Sequence, residues 1–311
     1  MSMSPALGSG LRSRAHRLRT ALWPQTNAEL VTGGAHRRYL LHVPARYVPG
    51  TPTPLVIVIH GFMQTPAHQR DMSGWDELAE REGFITAYPM GTGLPLRWES
   101  HLPIDESDDT RAQVEFIADL IDEICDKYSV DQRRIYASGM SNGGGLAYVL
   151  AFELSKRIAA IAGVAGLYTY QADPPPDARV VPMIAFHGVL DRIVPYGGGV
   201  KRFGHSVPAV EDCLAAYAAR AGCLSHSQSR VSDAVICTTF TGCADAFELT
   251  YYTVADAGHS WPGGEPLPER IAGPTSSEIN ATELTWEFFG RHPMPDHVNV
   301  SVVPSPSAAQ W

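Results

Sequence analysis

No apolar run in this chain approaches the ~20 residues that a membrane-spanning helix needs. The stretch 54–59 is only strand-sized. Positive charge is in short supply as well. Lys and Arg total 24 against 33 Asp and Glu, a formal net charge of −9. That balance argues against nucleic acid or an anionic membrane as the main partner, because both recruit positive surface. There is no GxGxxG near the first strand and no loop ending in GK[ST], so a dinucleotide or nucleotide-phosphate fold has little support. No internal repeat is present. The N-terminal 24 residues carry Arg12, Arg14, Arg17 and Arg19, but no apolar h-region follows them, so a secretory signal is not visible. Leu11, Ala15, Leu18 and Leu22 fall at helical spacing between those arginines. Residues 1–26 are nevertheless read as a loosely ordered arm, and the Pro- and Ser-containing stretch 293–311 as a poorly ordered tail. Of five cysteines, Cys125 lies in an amphipathic stretch, while Cys213, Cys223, Cys237 and Cys243 crowd together without C-x-x-C spacing. Zinc is therefore not expected. One or two disulfides would suit an oxidising compartment, and four reduced thiols a cytosolic one.

What is present is an ordinary globular composition, 44% hydrophobic and 18% charged, over 311 residues. One catalytic domain spanning 27–292 accounts for it. Strand-like runs at 38–43, 55–59, 84–88, 133–137, 158–164, 180–186 and 247–254 alternate with helical stretches at 75–82, 114–128, 145–154, 209–221 and 277–289. Residues 27–34 are candidates to pair with the first strand, and 225–234 reads as a polar loop. Continuous β-branched runs such as Leu55-Val56-Ile57-Val58-Ile59 suit strands buried on both faces. The alternation predicts an α/β fold, a mostly parallel sheet with helices on both faces. Residues 90–110 form the least regular stretch of the first half, and a long loop there is commonly functional.

The centre of the chain is Gly139-Met140-Ser141-Asn142-Gly143, between a strand and a helix. G-x-S-x-G at such a junction is the pattern of a nucleophile elbow, whose tight turn leaves little room for side chains two positions either side of the serine. A serine hydroxyl needs a base to take its proton and a carboxylate to orient that base. In α/β-hydrolases these follow in the order Ser, acid, His. Asp191 comes just after the 180–186 strand and His259 just after the 247–254 strand, at ends where ligands bind in open α/β sheets. Asp173 and Asp177 precede their strand, Asp212 is on a helix, and His205 has no strand before it. The expected catalytic set is Ser141, Asp191 and His259, with His187 as a structural neighbour of the Asp191 loop. Two N–H donors must meet the oxyanion. Asn142, directly after the serine, supplies one in this reading, and Phe62 the other, with Gln64 bracing its loop. Phe62, Trp98, Met140, Val194 and Trp261 are candidates for an apolar acyl pocket, against a plain packing role for each.

Four motifs carry a family resemblance: His60-Gly61-x-x-Gln64, Gly139-x-Ser141-Asn142-Gly143-Gly144, His187-Gly188-x-x-Asp191-x-x-Val194-Pro195-Tyr196 and Gly258-His259-x-Trp261-Pro262-Gly263. Together they resemble the polyhydroxybutyrate-depolymerase-like esterases, a group that includes feruloyl and acetylxylan esterases. The resemblance runs over about 29–292. It implies an α/β-hydrolase fold, hydrolysis of carboxylic esters without a metal or organic cofactor, and secretion or a periplasmic location. It also implies a Cys223–Cys243 disulfide; Cys213 with Cys237 is a further expectation. Phe62 stands where many members have cysteine, and only a short tail stands where depolymerases of solid polymer carry a substrate-binding module. The expected partner is an ester substrate, hydroxyalkanoate or aryl. A serine peptidase of the same fold and a catalytically dead binding protein are the alternatives.

Overall fold

The computed structural model describes residues 26–172, 178–200, 206–244 and 247–295. The arm up to residue 25, Asp173, Asp177, His205 and the tail past residue 295 lie outside the described residues.

The chain opens with a hairpin of β1 (Ala28–Thr32) and β2 (Ala35–His42). Its two-residue turn is Gly33-Gly34, both at positive φ, which matches the right-handed twist of the flanking strands. There follow β3 (Thr53–Ile59), α1 (Pro66–Ser73), α2 (Trp75–Glu82), β4 (Ile85–Pro89), α3 (Asp108–Lys127), β5 (Val130–Met140), α4 (Asn142–Glu153), β6 (Ala160–Val164) and β7 (Met183–Gly188). The second half adds the two-residue strands β8 (Gly199–Val200) and β9 (Ser206–Val207), then α5 (Val210–Arg220), β10 (Ser225–Arg230), β11 (Val235–Thr241), β12 (Leu249–Val254), α6 (Glu269–Ala272) and α7 (Ala281–Arg291). The large sheet has ten strands in the order β1-β2-β4-β3-β5-β6-β7-β12-β11-β10. From β4 to β12 every pair is parallel, and an antiparallel hairpin closes each end.

All of β3 is buried, and its period-2 alternation feeds two cores. Leu55, Ile57 and Ile59 pack with Val114, Ile117 and Ile121 of α3, with α4, and with Leu214 and Tyr217 of α5. Val56 and Val58 pack with Met72 of α1, Trp75 and Leu78 of α2, and Phe288 and Phe289 of α7. Helix α4 is apolar all round and buried from Gly143 to Phe152, as a helix wedged against the sheet must be.

The structure departs from expectation in places that share a cause. Residues 225–230, expected as loop, form edge strand β10, fully exposed and paired on one side with β11. Its side chains bury nothing, so the sequence shows no apolar alternation. Helix α1 is as quiet: its signal is the cap, Thr65 accepting from the His68 N–H with Pro66 in the first turn. Helix α3 begins at Asp108, because Ser107 caps it and Asp108 and Asp109 complement its N-terminal dipole. Met294, past α7, is buried; its N–H donates to Arg133 O at 2.7 Å.

Cys223 and Cys243 are joined, tying the end of α5 to the β11–β12 connection. Closing a loop with a sequence separation of 20 stabilises by about 3 kcal/mol in the chain-entropy account. Cys213 and Cys237 are free thiols, contrary to the expected second bridge. Cys213 packs into the β3–α3 side of the core. Cys237 is registered directly opposite Tyr252, whose ring packs on the other side. The sheet itself separates the two sulfurs.

Candidate active site

Ser141 is the single residue between β5 and α4, and it sits at φ 55, ψ −119. That region disfavours L-residues and is held here by its surroundings. The Ser141 N–H donates to Val164 O at 2.8 Å, and Ser141 O accepts from the Gly145 N–H at 3.0 Å. The flanking glycines are required by backbone contact. A Cβ on Gly139 would stand 2.3 Å from Gly143 O, and one on Gly143 would stand 2.3 Å from Ile59 O. The elbow is thus pressed against the end of β3, where the 60–64 loop begins.

That loop is tightly held. The Gly61 N–H donates to Gln64 Oε1 at 2.7 Å, and the Gln64 amide reaches Met140 Sδ at 4.0 Å. The expected bracing role of Gln64 matches these contacts. His60 is buried; its Nε2 accepts from the Gly91 N–H at 2.9 Å, so Nδ1–H donates to Gly61 O at 2.8 Å. Burial pulls this imidazole down to about 4, and it stays neutral at ordinary pH. Among the described residues no acceptor takes the N–H of Phe62 or of Asn142, the two expected oxyanion donors. Asn142 is the first residue of α4, where a free N–H is the rule.

Asp191 and His259 meet. Asp191 follows β7 and is buried; its Oδ2 accepts from His259 Nδ1–H at 2.7 Å. Its Oδ1 accepts from the Ile193 and Val194 N–H groups, both at 2.8 Å. His187 Nε2–H donates to Val194 O at 2.9 Å and lies 3.3 Å from Asp191 Oδ2. Burial works against ionising this carboxyl, but the hydrogen bonds from His187 and His259 outweigh it and hold the group well below the usual carboxylate range. The two loops can approach because they carry glycine. A Cβ on Gly188 would meet Ala257 O at 2.2 Å, and one on Gly258 would meet Ala272 O at 2.1 Å. With Nδ1 committed to Asp191, His259 presents Nε2 for proton transfer. Ser141, Asp191 and His259 all emerge at the C-terminal edge of the parallel strands, on β5, β7 and β12.

The fold and the sequence have known counterparts. Residues 38–174 match the family described as Esterase PHB depolymerase. A bifunctional acetylxylan esterase/xylanase of Neocallimastix patriciarum is 32% identical over 164 residues, 52% of this chain and 22% of that protein. Feruloyl esterase C of Emericella nidulans is 27% identical over 256 residues, covering 81% of this chain and 83% of that one. An acetyl xylan esterase from Aspergillus awamori superposes with a TM-score of 0.60 at 15% identity, over 85% of this chain and 98% of its own. The chain has the α/β-hydrolase fold, and the relatives it matches are named esterases.

Four of the five expected pocket residues make packing contacts. Trp98 is 3% exposed; its Nε1–H donates to His60 O at 2.9 Å, and its ring lies against the His60 ring. It secures the 60–64 loop. Trp261 is 1% exposed and donates through Nε1 to Thr282 Oγ1. Met140 is fully buried, and Val194 packs with Leu167 and Val207. Each has a packing role, for one reason: a strand end or a loop brace next to Ser141 is also next to the core. Phe62 remains exposed, as does Met63 beside it.

Two features escaped the sequence reading. The Asn142 side chain clasps the long loop: its Oδ1 accepts from the Trp98 N–H at 2.7 Å, and its Nδ2 donates to Trp98 O at 2.8 Å and Ser100 Oγ at 3.2 Å. The long 90–110 stretch is therefore fastened to the residue after Ser141. The second feature is a cavity of about 560 Å³ between the 190–192 turn and the 269–274 segment. The same segment carries the His259 loop, since the His259 N–H donates to Ala272 O and the Gly258 N–H to Pro274 O. Isolated exposed residues in a sequence carry no sign that they face one another.

Proposed function

We propose that this hydrolase cleaves carboxylic esters through an acyl-enzyme on Ser141. His259 Nε2 takes the serine proton as Oγ attacks the ester carbonyl. Asp191, ionised and held by two backbone N–H groups, keeps the imidazole in the tautomer with Nδ1–H and stabilises the imidazolium that forms. The free N–H groups of Phe62 and Asn142 receive the oxyanion of the tetrahedral intermediate. His259 then gives its proton to the departing alkoxide, and water repeats the sequence on the acyl-serine. The observation that carries this reading is the buried Asp191–His259 pair on neighbouring strand ends of the sheet whose β5 ends in the strained Ser141.

For substrate we infer hydroxyalkanoate esters, of the polyhydroxybutyrate type, as oligomer or polymer chain. The family match over 38–174 supports that class. The names of the feruloyl and acetylxylan esterase relatives favour a second reading, esters of plant cell walls. The disulfide suits a secreted or periplasmic setting, and no described helix is long and apolar enough to cross a membrane. The test is hydrolysis of p-nitrophenyl butyrate, hydroxybutyrate oligomers, methyl ferulate and acetylated xylan by the wild type and Ser141→Ala. A loss of about 10⁴-fold or more in kcat is expected for the variant. Near-normal turnover of p-nitrophenyl butyrate by the variant would refute the serine mechanism, and the ranking of the panel decides the substrate.

A further inference from the structure

The cavity beside the Asp191 and His259 loops is unusual in its charge. Its rim carries Arg192, next to Asp191 in sequence, and Arg270, on the segment that hydrogen-bonds the His259 loop. Leu190 and Ile271 add apolar surface, 48% and 50% exposed. Several arginines elsewhere are neutralised by an acid. Arg70, Arg81, Arg134, Arg157 and Arg291 each meet a carboxylate. Arg192 and Arg270 have no ion-pair or hydrogen-bond partner among the described residues, in a chain of net charge −9. Among the described residues Glu269 is the only acid on this rim, so two guanidinium groups outnumber it.

A volume of about 560 Å³ is that of a small-molecule site, and planar guanidinium groups beside exposed apolar side chains suit a carboxylate attached to a short aliphatic arm. Resting on the esterase reading above, we propose that Arg192 and Arg270 bind a free carboxylate on the alcohol side of the substrate ester, with Leu190 and Ile271 against the carbon chain beside it. The substrate class this selects is an oligomeric hydroxy acid whose terminal carboxylate is free. Hydrolysis adds water across the ester next to that end: the acyl part leaves as one carboxylate and the alcohol part as a hydroxy acid. A neutral methyl ester of the same oligomer has the same scissile bond but lacks the anchor. Glu269 opposes the anion and sets an upper limit to the preference.

The experiment compares kcat/KM for a hydroxybutyrate dimer with a free terminal carboxylate against its methyl ester, as a ratio within each enzyme, so that general loss of activity cancels. The wild type should favour the free acid. The double variant Arg192→Gln/Arg270→Gln should lower that ratio about tenfold, the size of two exposed charge pairs. Glu269→Gln should raise it. Calorimetric binding of both forms to Ser141→Ala gives the same comparison without turnover. Ratios that are equal in the wild type and the double variant overturn the proposal, as does a wild type that cleaves p-nitrophenyl butyrate and the methyl ester but prefers neither form of the dimer. Failure of the esterase reading shows differently: Ser141→Ala would then retain p-nitrophenyl butyrate hydrolysis.

Discussion

Replacing Ser141 by glycine should make the protein more stable than replacing it by alanine, although both variants lose the hydroxyl. At φ 55, ψ −119 the residue occupies a region that glycine enters without a Cβ penalty and any L-residue enters at a cost of about 1–3 kcal/mol. Alanine removes the hydroxyl but keeps the Cβ, and so keeps that cost. Glycine removes both, at the expense of about 0.5–1 kcal/mol of additional freedom in the unfolded chain. The difference favours Ser141→Gly by about 0.5–2 kcal/mol. For a domain of this order of size each kcal/mol moves the melting temperature by about 2–4 °C, so the glycine variant should melt about 1–8 °C above the alanine variant. Scanning calorimetry on the two variants, without ester present, makes the comparison. A glycine variant that melts at or below the alanine variant would mean that the elbow stores no backbone strain at Ser141, and the account of how the serine is held would fail.

Two further outcomes follow from contacts around the elbow. Burial depresses His60 to about 4 in the folded protein against 6.5 in the unfolded chain, so the unfolded chain binds more protons between those values. Its contribution, at most about 3 kcal/mol, is fully present above about pH 6.5 and is lost as the pH falls towards 4; the His60 ring resonances should therefore not titrate between pH 5 and 8, and a midpoint near 6.5 would refute the assignment. Asn142→Ala removes three side-chain hydrogen bonds to the 98–100 backbone and Ser100 while leaving the Asn142 N–H in place. The orphaned Trp98 N–H should exchange with deuterium at least tenfold faster and kcat should fall by about tenfold, reflecting about 1–3 kcal/mol for a donor left unsatisfied; unchanged exchange at Trp98 would show that the clasp is incidental.

The parts of the molecule that were legible share a property: their signal is local. Leu55-Val56-Ile57-Val58-Ile59 reads as a two-faced strand because each side chain is buried, and the glycines of 139–143 read as an elbow because a Cβ there would collide with backbone. Asp191 and His259 were readable as strand-end residues, and the structure joins them by a 2.7 Å hydrogen bond. Strand β10 was not legible, because an exposed edge is specified by its partner β11 rather than by its own side chains. The Cys213–Cys237 pairing failed because spacing along the chain does not report which face of the sheet a side chain occupies. Trp98 and Trp261 stood open between a pocket wall and plain packing, because their chemistry is the same for a ring against substrate and a ring in the core; their low exposure is what the structure adds.

The same distinction says where substrate choice resides. The histidine-glycine pairs of the 60–61, 187–188 and 258–259 stretches do mostly scaffolding. Gly61 lets Gln64 close on its N–H, Gly188 admits the 257–258 backbone, and Gly258 admits Ala272. His60 and His187 bond backbone carbonyls, which leaves His259 as the member of the three free to act on a reacting atom. In the proposed mechanism these residues fix the nucleophile, the base and the oxyanion donors against one another, and any ester with a reachable carbonyl can use that arrangement. On that proposal, discrimination between esters comes from side chains that the motifs do not constrain. On this chain those are the exposed Phe62 and Met63 on the oxyanion loop, and Leu190, Arg192, Arg270 and Ile271 on the two segments that flank Asp191 and His259. Substitution at this second group should therefore change the order of preferred esters while the Asp191–His259 bond and the elbow geometry persist.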